Sequence, residues 1–184
     1  MRWEALFADL EAEAEALDRD ELHAEVADRT RREAALLRLQ DRLATTPGTR
    51  VGVRVVGVGQ LRAAMLSTGP DWMLLEEGGR ELLVPTDAVL TVTGVGRHSA
   101  VPGSEGPVGR KLNFAYMLRA LARDRAGLSL VLRDATTLSG TLDRVGADYL
   151  EVAEHPAGES RRAGAVRAVS LIRQDAIALI RSGG

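Results

Sequence analysis

The chain has no cysteine and only six aromatic residues among 184: Trp3, Phe7, Trp72, Phe114, Tyr116 and Tyr149. Without cysteine there is no disulfide framework, no thiolate-bound zinc and no cysteine nucleophile. Six aromatics leave little for a platform on which bases could stack. Uninterrupted apolar runs fall far short of the ~18 residues a membrane-spanning helix needs. The opening stretch, MRWEALFADLEAEAEA, is acidic after Arg2 and lacks the apolar core of a secretory leader. A cytoplasmic protein without membrane association is therefore expected. A dominant charge is missing too: 24 Lys+Arg stand against 26 Asp+Glu, a net of -2, so no global basic field draws the chain to nucleic acid.

Charge is present locally. Residues 1–46 hold twelve acids and seven bases, residues 50–107 six and five, and residues 108–184 eight and twelve. An acidic head thus precedes a basic tail. Two solvated faces that differ by chance account for this; the sharper alternatives are that the tail meets an anionic ligand or that the head docks on the tail. Nearly all the positive charge is arginine, with Lys111 the one lysine against 23 arginines.

Residues 3–44 contain neither glycine nor proline and are rich in Ala, Leu, Glu and Arg, all strong helix formers. Trp3, Leu6, Phe7, Leu10, Ala14 and Leu17 recur at helical spacing and form an apolar stripe. Asp18 with Glu21 has capping spacing, so the helix is expected to bend there into a hairpin, or to pair with another chain. Thr45-Thr46-Pro47-Gly48 ends this helical segment, assigned to residues 1–46. From Val51 the period changes to short β-branched or Leu-rich runs punctuated by glycine. Five such runs over 50–93 read as a first small β-barrel. Residues 94–107 are Gly/Pro-rich and read as a flexible linker. A helix and five more short strands over 108–182 read as a second barrel. The expected fold is therefore α+β: an N-terminal helical segment and two small five-stranded barrels, joined by a linker and a helix.

The two strand sets form an internal repeat. Met65-Leu66-Ser67-Thr68-Gly69-Pro70-Asp71-Trp72 aligns with Leu142-Asp143-Arg144-Val145-Gly146-Ala147-Asp148-Tyr149 at an offset of 77. Leu83-Val84-Pro85-Thr86-Asp87-Ala88-Val89 aligns with Leu171-Ile172-Arg173-Gln174-Asp175-Ala176-Ile177 at an offset of 88. The shared Gly-x-Asp-aromatic element reads as a turn: glycine supplies a positive φ, aspartate caps, and the aromatic re-enters the core.

Two stretches of the second set carry a family likeness. Leu130-Val131-Leu132-Arg133-Asp134 with Gly140-Thr141-Leu142, and Leu171-Ile172-Arg173-Gln174-Asp175-Ala176-Ile177, resemble the two sequence motifs of the Sm-like family. That resemblance implies a short helix followed by a strongly bent five-stranded barrel, with Arg173 and Gln174 at the family's RNA-binding step. Gln174 stands where the family has glycine, and the first set has Pro85-Thr86 at the same place.

No arrangement for catalysis emerges. His23 sits in the acidic helix, His98 beside Ser99 in the Gly-rich stretch, and His155 near Glu151, Glu154 and Glu159. Adjacent Ser and His cannot form a triad pair. The glycine clusters lack the Gly-Lys-Ser/Thr ending of a phosphate loop and are not followed by the helix of a dinucleotide site. No enzymatic activity, cofactor or metal is expected. Two binding readings remain. In the first, RNA or another nucleic acid meets Arg173, Gln174, Arg161, Arg162, Arg167, Arg110 and Lys111 on the second barrel. In the second, the protein is a scaffold or adaptor. It self-associates as a homodimer or larger assembly, or binds a protein partner, through the helix face Trp3, Leu6, Phe7, Leu10 and Leu17 and through open strand edges.

Overall fold

The computed structural model describes residues 2–156 and 166–182; from residue 2 to 20 the only side chains described are those of Phe7, Glu11, Glu13 and Arg19. The chain divides into two compact units, Met1–Arg38 and Leu39–Gly184.

The first unit is one helix, α1 (Arg2–Leu36). At 1.5 Å per residue it is about 52 Å long. The expected bend at Asp18 does not occur. No glycine or proline interrupts the backbone ladder there, and helix propensity outweighs the capping spacing. Arg29 pairs with Glu33 at 3.0 Å, one turn on. Phe7, Leu22, Val26 and Leu36 are exposed.

The second unit opens with α2 (Leu39–Leu43) and strands β1 (Arg50–Val55), β2 (Gly59–Thr68), β3 (Trp72–Glu77), β4 (Arg80–Pro85) and β5 (Val89–Thr93). Helices α3 (Gly106–Lys111) and α4 (Phe114–Asp124) follow, then β6 (Gly127–Leu132), β7 (Thr137–Val145), β8 (Tyr149–Glu154), β9 (Ala168–Arg173) and β10 (Ile177–Ser182). The two separate five-stranded barrels expected from the sequence do not form. All ten strands join one open antiparallel sheet in the order β5-β1-β2-β3-β4-β10-β6-β7-β8-β9. The join is β4 against β10, with Leu83 opposite Ile180 and Leu82 opposite Arg181.

Side-chain burial explains the join. Leu82-Leu83-Val84 in β4 and Ile177-Ala178-Leu179-Ile180 in β10 are apolar at consecutive positions, and all are buried. A strand buried on both faces needs cover on both. Leu82 and Val84 pack into a core with Val53, Met65 and Leu75, which Ala178 and Leu179 also enter. Leu83 packs into the other core, with Leu118, Leu130, Leu150, Ile177 and Ile180. Each such leucine contributes about 1.5–3 kcal/mol when fully buried, so splitting the sheet here would expose both cores.

The repeat is carried through to backbone detail. Gly69 N donates to Trp72 O at 2.9 Å, and Gly146 N to Tyr149 O at 2.8 Å. Thr86 N donates to Asp71 O, and Gln174 N to Asp148 O, both at 2.8 Å. The β2–β3 register shifts between Met65 and Ser67, and the β7–β8 register between Leu142 and Arg144, at the offset of 77. One-turn 3₁₀ segments, Thr86–Ala88 and Gln174–Ala176, precede β5 and β10. The aromatic of each Gly-x-Asp-aromatic turn lies on its glycine: a Cβ on Gly69 would come within 2.2 Å of the Trp72 ring, and one on Gly146 within 2.3 Å of the Tyr149 ring. The glycines are there for close approach, since neither has positive φ.

Helix α4 lies over the second half of the sheet and buries Phe114 and Leu118. Its start is fastened to the first half. Asn113 Oδ1 accepts from Tyr116 N at 2.9 Å, Asp71 Oδ1 accepts from Phe114 N at 2.7 Å, and Trp72 Nε1 donates to Leu112 O at 2.6 Å. The Gly-rich stretch after β5 is tied to α2, where Ala100 N donates to Asp41 O at 2.7 Å and Thr45 Oγ1 to His98 O at 3.2 Å.

Candidate functional site

The basic residues singled out in the sequence lie on different elements where they are described. Arg161 and Arg162 lie outside the described residues. Arg167 precedes β9 and Arg173 ends it, six steps along the strand or about 20 Å away. Arg173 Nε and Nη2 bond Asp175 Oδ1 and Oδ2 at 2.9 and 2.5 Å, a two-pronged ion pair on the surface. That hydrogen bond holds the Asp175 carboxyl below its ordinary range. Gln174 closes its own turn: Nε2 donates to Gly146 O at 3.2 Å and to Ala147 O at 3.4 Å. The pair at the RNA-binding step of the resemblance is thus engaged within the chain. Arg110 and Lys111 are exposed in the last turn of α3. Of the helix stripe, Phe7 is exposed, while the side chains of Trp3, Leu6, Leu10 and Leu17 lie outside those described.

Two features come forward, one of them the open strand edges expected from the sequence. The first is the pair of sheet edges. Among the described residues, strands β5 and β9 end the sheet, so one side of each leaves its backbone N–H and C=O groups without a strand partner. Both carry apolar side chains in the open: Leu90 on β5, and Val169 and Leu171 on β9. Beside β5 runs a groove of about 410 Å³, lined by residues 89–95 together with Leu39 and Arg42 of α2. Arg42 reaches across its floor to Gly96 O.

The second feature is where the basic charge sits. Residues 108–125 hold Arg110, Lys111, Arg119, Arg123 and Arg125 against one acid, Asp124, while residues 126–184 hold seven bases and seven acids. The net charge of the basic tail is therefore that of α3, α4 and the residue after it. Tyr116, Arg119 and Arg123, spaced three and four apart, share the exposed face of α4, and Tyr116 is 42% exposed.

His155 is not part of a surface cluster. It is buried, with Nε2 2.8 Å from Thr141 Oγ1 and Nδ1 3.1 Å from Pro156 O. A neutral ring that donates from Nδ1 and accepts at Nε2 satisfies both contacts. At the start of α4, burial pushes the Asp71 carboxyl above its ordinary range, and the Phe114 N–H opposes that rise. No helix among the described residues is long and apolar enough to cross a membrane. Comparison with family models and with curated proteins finds no match to this chain.

Proposed function

We propose that this protein is a non-enzymatic interaction scaffold whose ten-stranded sheet takes up extended protein segments at its open edges. The carrying observation is that β5 and β9 combine unpaired backbone with exposed Leu90, Val169 and Leu171, and that β5 faces a groove. Strand addition draws affinity from main-chain hydrogen bonds and specificity from alternate side chains. The partner expected is an extended segment with apolar residues at every second position. A displayed library of alternating apolar and polar peptides tests this, with amide hydrogen exchange as the readout. Bound peptides should slow exchange in β5 or β9. A selection yielding only peptides that leave both strands exchanging as before would remove the reading.

Polyanion binding, with RNA as the ligand, is a second reading. It is supported by the concentration of positive charge on residues 108–125 and by the exposed Tyr116 beside Arg119, and by the Sm-like motifs. Phosphate contacts release counterions, so binding of labelled oligo-U or oligo-A should weaken steeply as salt rises. Arg119→Ala with Arg123→Ala should weaken it further, and Arg173→Ala should not, because Asp175 already holds that guanidinium. Absence of binding at low salt sinks this reading.

A further inference from the structure

We infer that the extended segment taken up at the β5 edge is β9 of a second copy of this chain, so that copies join head to tail. This rests on the reading of the edges as protein-binding surfaces and adds the identity of the partner. Its warrant is the internal repeat. Shifting by the repeat offset of 88, β4 corresponds to β9 and β10 to β5. Within the chain, β4 and β10 pair antiparallel. Each molecule thus contains one such seam and presents, at the two ends of its sheet, the two strands that would form the next.

Equivalent positions show what the outer strands leave open. Leu83 in the seam is 5% exposed, and its counterpart Leu171 is 71% exposed. Ala178 is fully buried, and its counterpart Leu90 is 61% exposed. Trp72 is buried against the start of α4, whereas Tyr149 is half-buried. The seam's register carries over directly. Leu83 opposite Ile180 becomes Leu171 opposite Val92, and Leu82 opposite Arg181 becomes Ser170 opposite Thr93. The two joining surfaces differ, so the contact is heterologous. It closes into a ring or runs on as a filament according to the rotation it imposes.

The outer seam is weaker than the inner one, for reasons visible at two positions. Inside the chain, Arg133 Nη2 pairs with Asp87 Oδ2 at 2.7 Å across the seam. The counterparts are Val56 and Asp175, which cannot pair. Inside the chain, Gly57 comes so near β6 that a Cβ would lie 2.5 Å from Leu132 O. Its counterpart is Asp134, which brings a side chain to that place. Assembly should accordingly be reversible and depend on concentration.

Light scattering on the full chain across a concentration series tests the inference. The native protein should self-associate, and Leu90→Asp and Leu171→Asp should each raise the dissociation constant roughly tenfold or more. Both positions are exposed, so unchanged circular dichroism is expected. Mixing is the decisive arm: Leu90→Asp keeps its β9 and Leu171→Asp keeps its β5, so an equimolar mixture should form a heterodimer and nothing larger. A native chain that stays monomeric overturns the inference, as does an oligomer indifferent to both edge substitutions or a mixture that stays monomeric. A monomer whose edges still capture selected peptides removes this inference alone and leaves the scaffold reading in place.

Discussion

Gly57 offers a direct probe of how the two halves of the sheet are held together. It has a φ of +68°, and a Cβ there would stand 2.5 Å from Leu132 O and 2.7 Å from Arg133 O, both backbone atoms that cannot swing aside. Gly57→Ala therefore carries two penalties. The left-handed backbone is disfavoured for alanine by about 1–2 kcal/mol, partly offset by about 0.4–1 kcal/mol from a stiffer unfolded chain. Forcing a methyl into a packed contact adds about 1–3 kcal/mol. The sum is about 1–5 kcal/mol, against the 5–15 kcal/mol typical of a folded domain. Gly78 is the control: its φ is +61°, yet nothing lies within 4 Å of where its Cβ would stand. Gly78→Ala should cost about 1 kcal/mol or less. Urea unfolding followed by Trp72 fluorescence, in a Trp3→Phe background, separates the two. With a slope near 2 kcal/mol per molar, the midpoint should fall roughly 0.5–1.5 M further for Gly57→Ala than for Gly78→Ala. Equal midpoints for the two variants would refute the claim that close approach across the seam, rather than turn conformation, is what demands glycine at position 57.

Asp71→Asn should steepen the acid limb of the stability profile, because it removes a contribution that grows as pH falls. The folded Asp71 carboxyl titrates above its unfolded value because it is desolvated. Protonation therefore favours folding: the contribution is complete below the ordinary carboxylate range and is lost as pH rises through the folded value. Asparagine keeps an acceptor for Phe114 N without the charge, so a Tm at neutral pH below that of the native protein would contradict this. Thr141→Val should cost about 1–3 kcal/mol by leaving the buried His155 ring without its partner, whereas Thr141→Val with His155→Leu should recover most of that loss; a double-mutant cycle in urea measures it. Arg133→Gln and Asp87→Asn, at a partly exposed ion pair, should each cost no more than about 1 kcal/mol, a further check by the same unfolding curves.

The strands, the Gly-x-Asp-aromatic turns and the repeat with its two offsets are all written locally, in residue spacing, and they appear in the structure where the spacing places them. The pairing of β4 with β10 is not local. Leu83 and Ile180 are 97 residues apart, and no turn or spacing links them. A trace of it was nonetheless present. Leu82-Leu83-Val84 and Ile177-Ala178-Leu179-Ile180 are unbroken apolar runs, the pattern of strands covered on both faces, whereas Val89-Leu90-Thr91-Val92-Thr93 is interrupted by threonine. The candidate site misled for a related reason. Arg173 is a basic residue at a suggestive motif, but Asp175 two positions on takes its guanidinium, and a side-chain pairing of that kind is not settled by spacing. The continuous α1 shows the converse error: a capping pair was given more weight than the absence of any helix breaker across 35 residues.

The β4–β10 pairing also bears on how the chain is made. β10 is synthesised nearly a hundred residues after β4, a delay of roughly 5–20 s at ordinary translation rates. During that interval β4 is paired on one side only, with β3, and the first core lacks Ala178 and Leu179. The nascent chain therefore carries a long-lived sticky edge, the kind of surface on which neighbouring polysomal chains aggregate and which holdase chaperones cover.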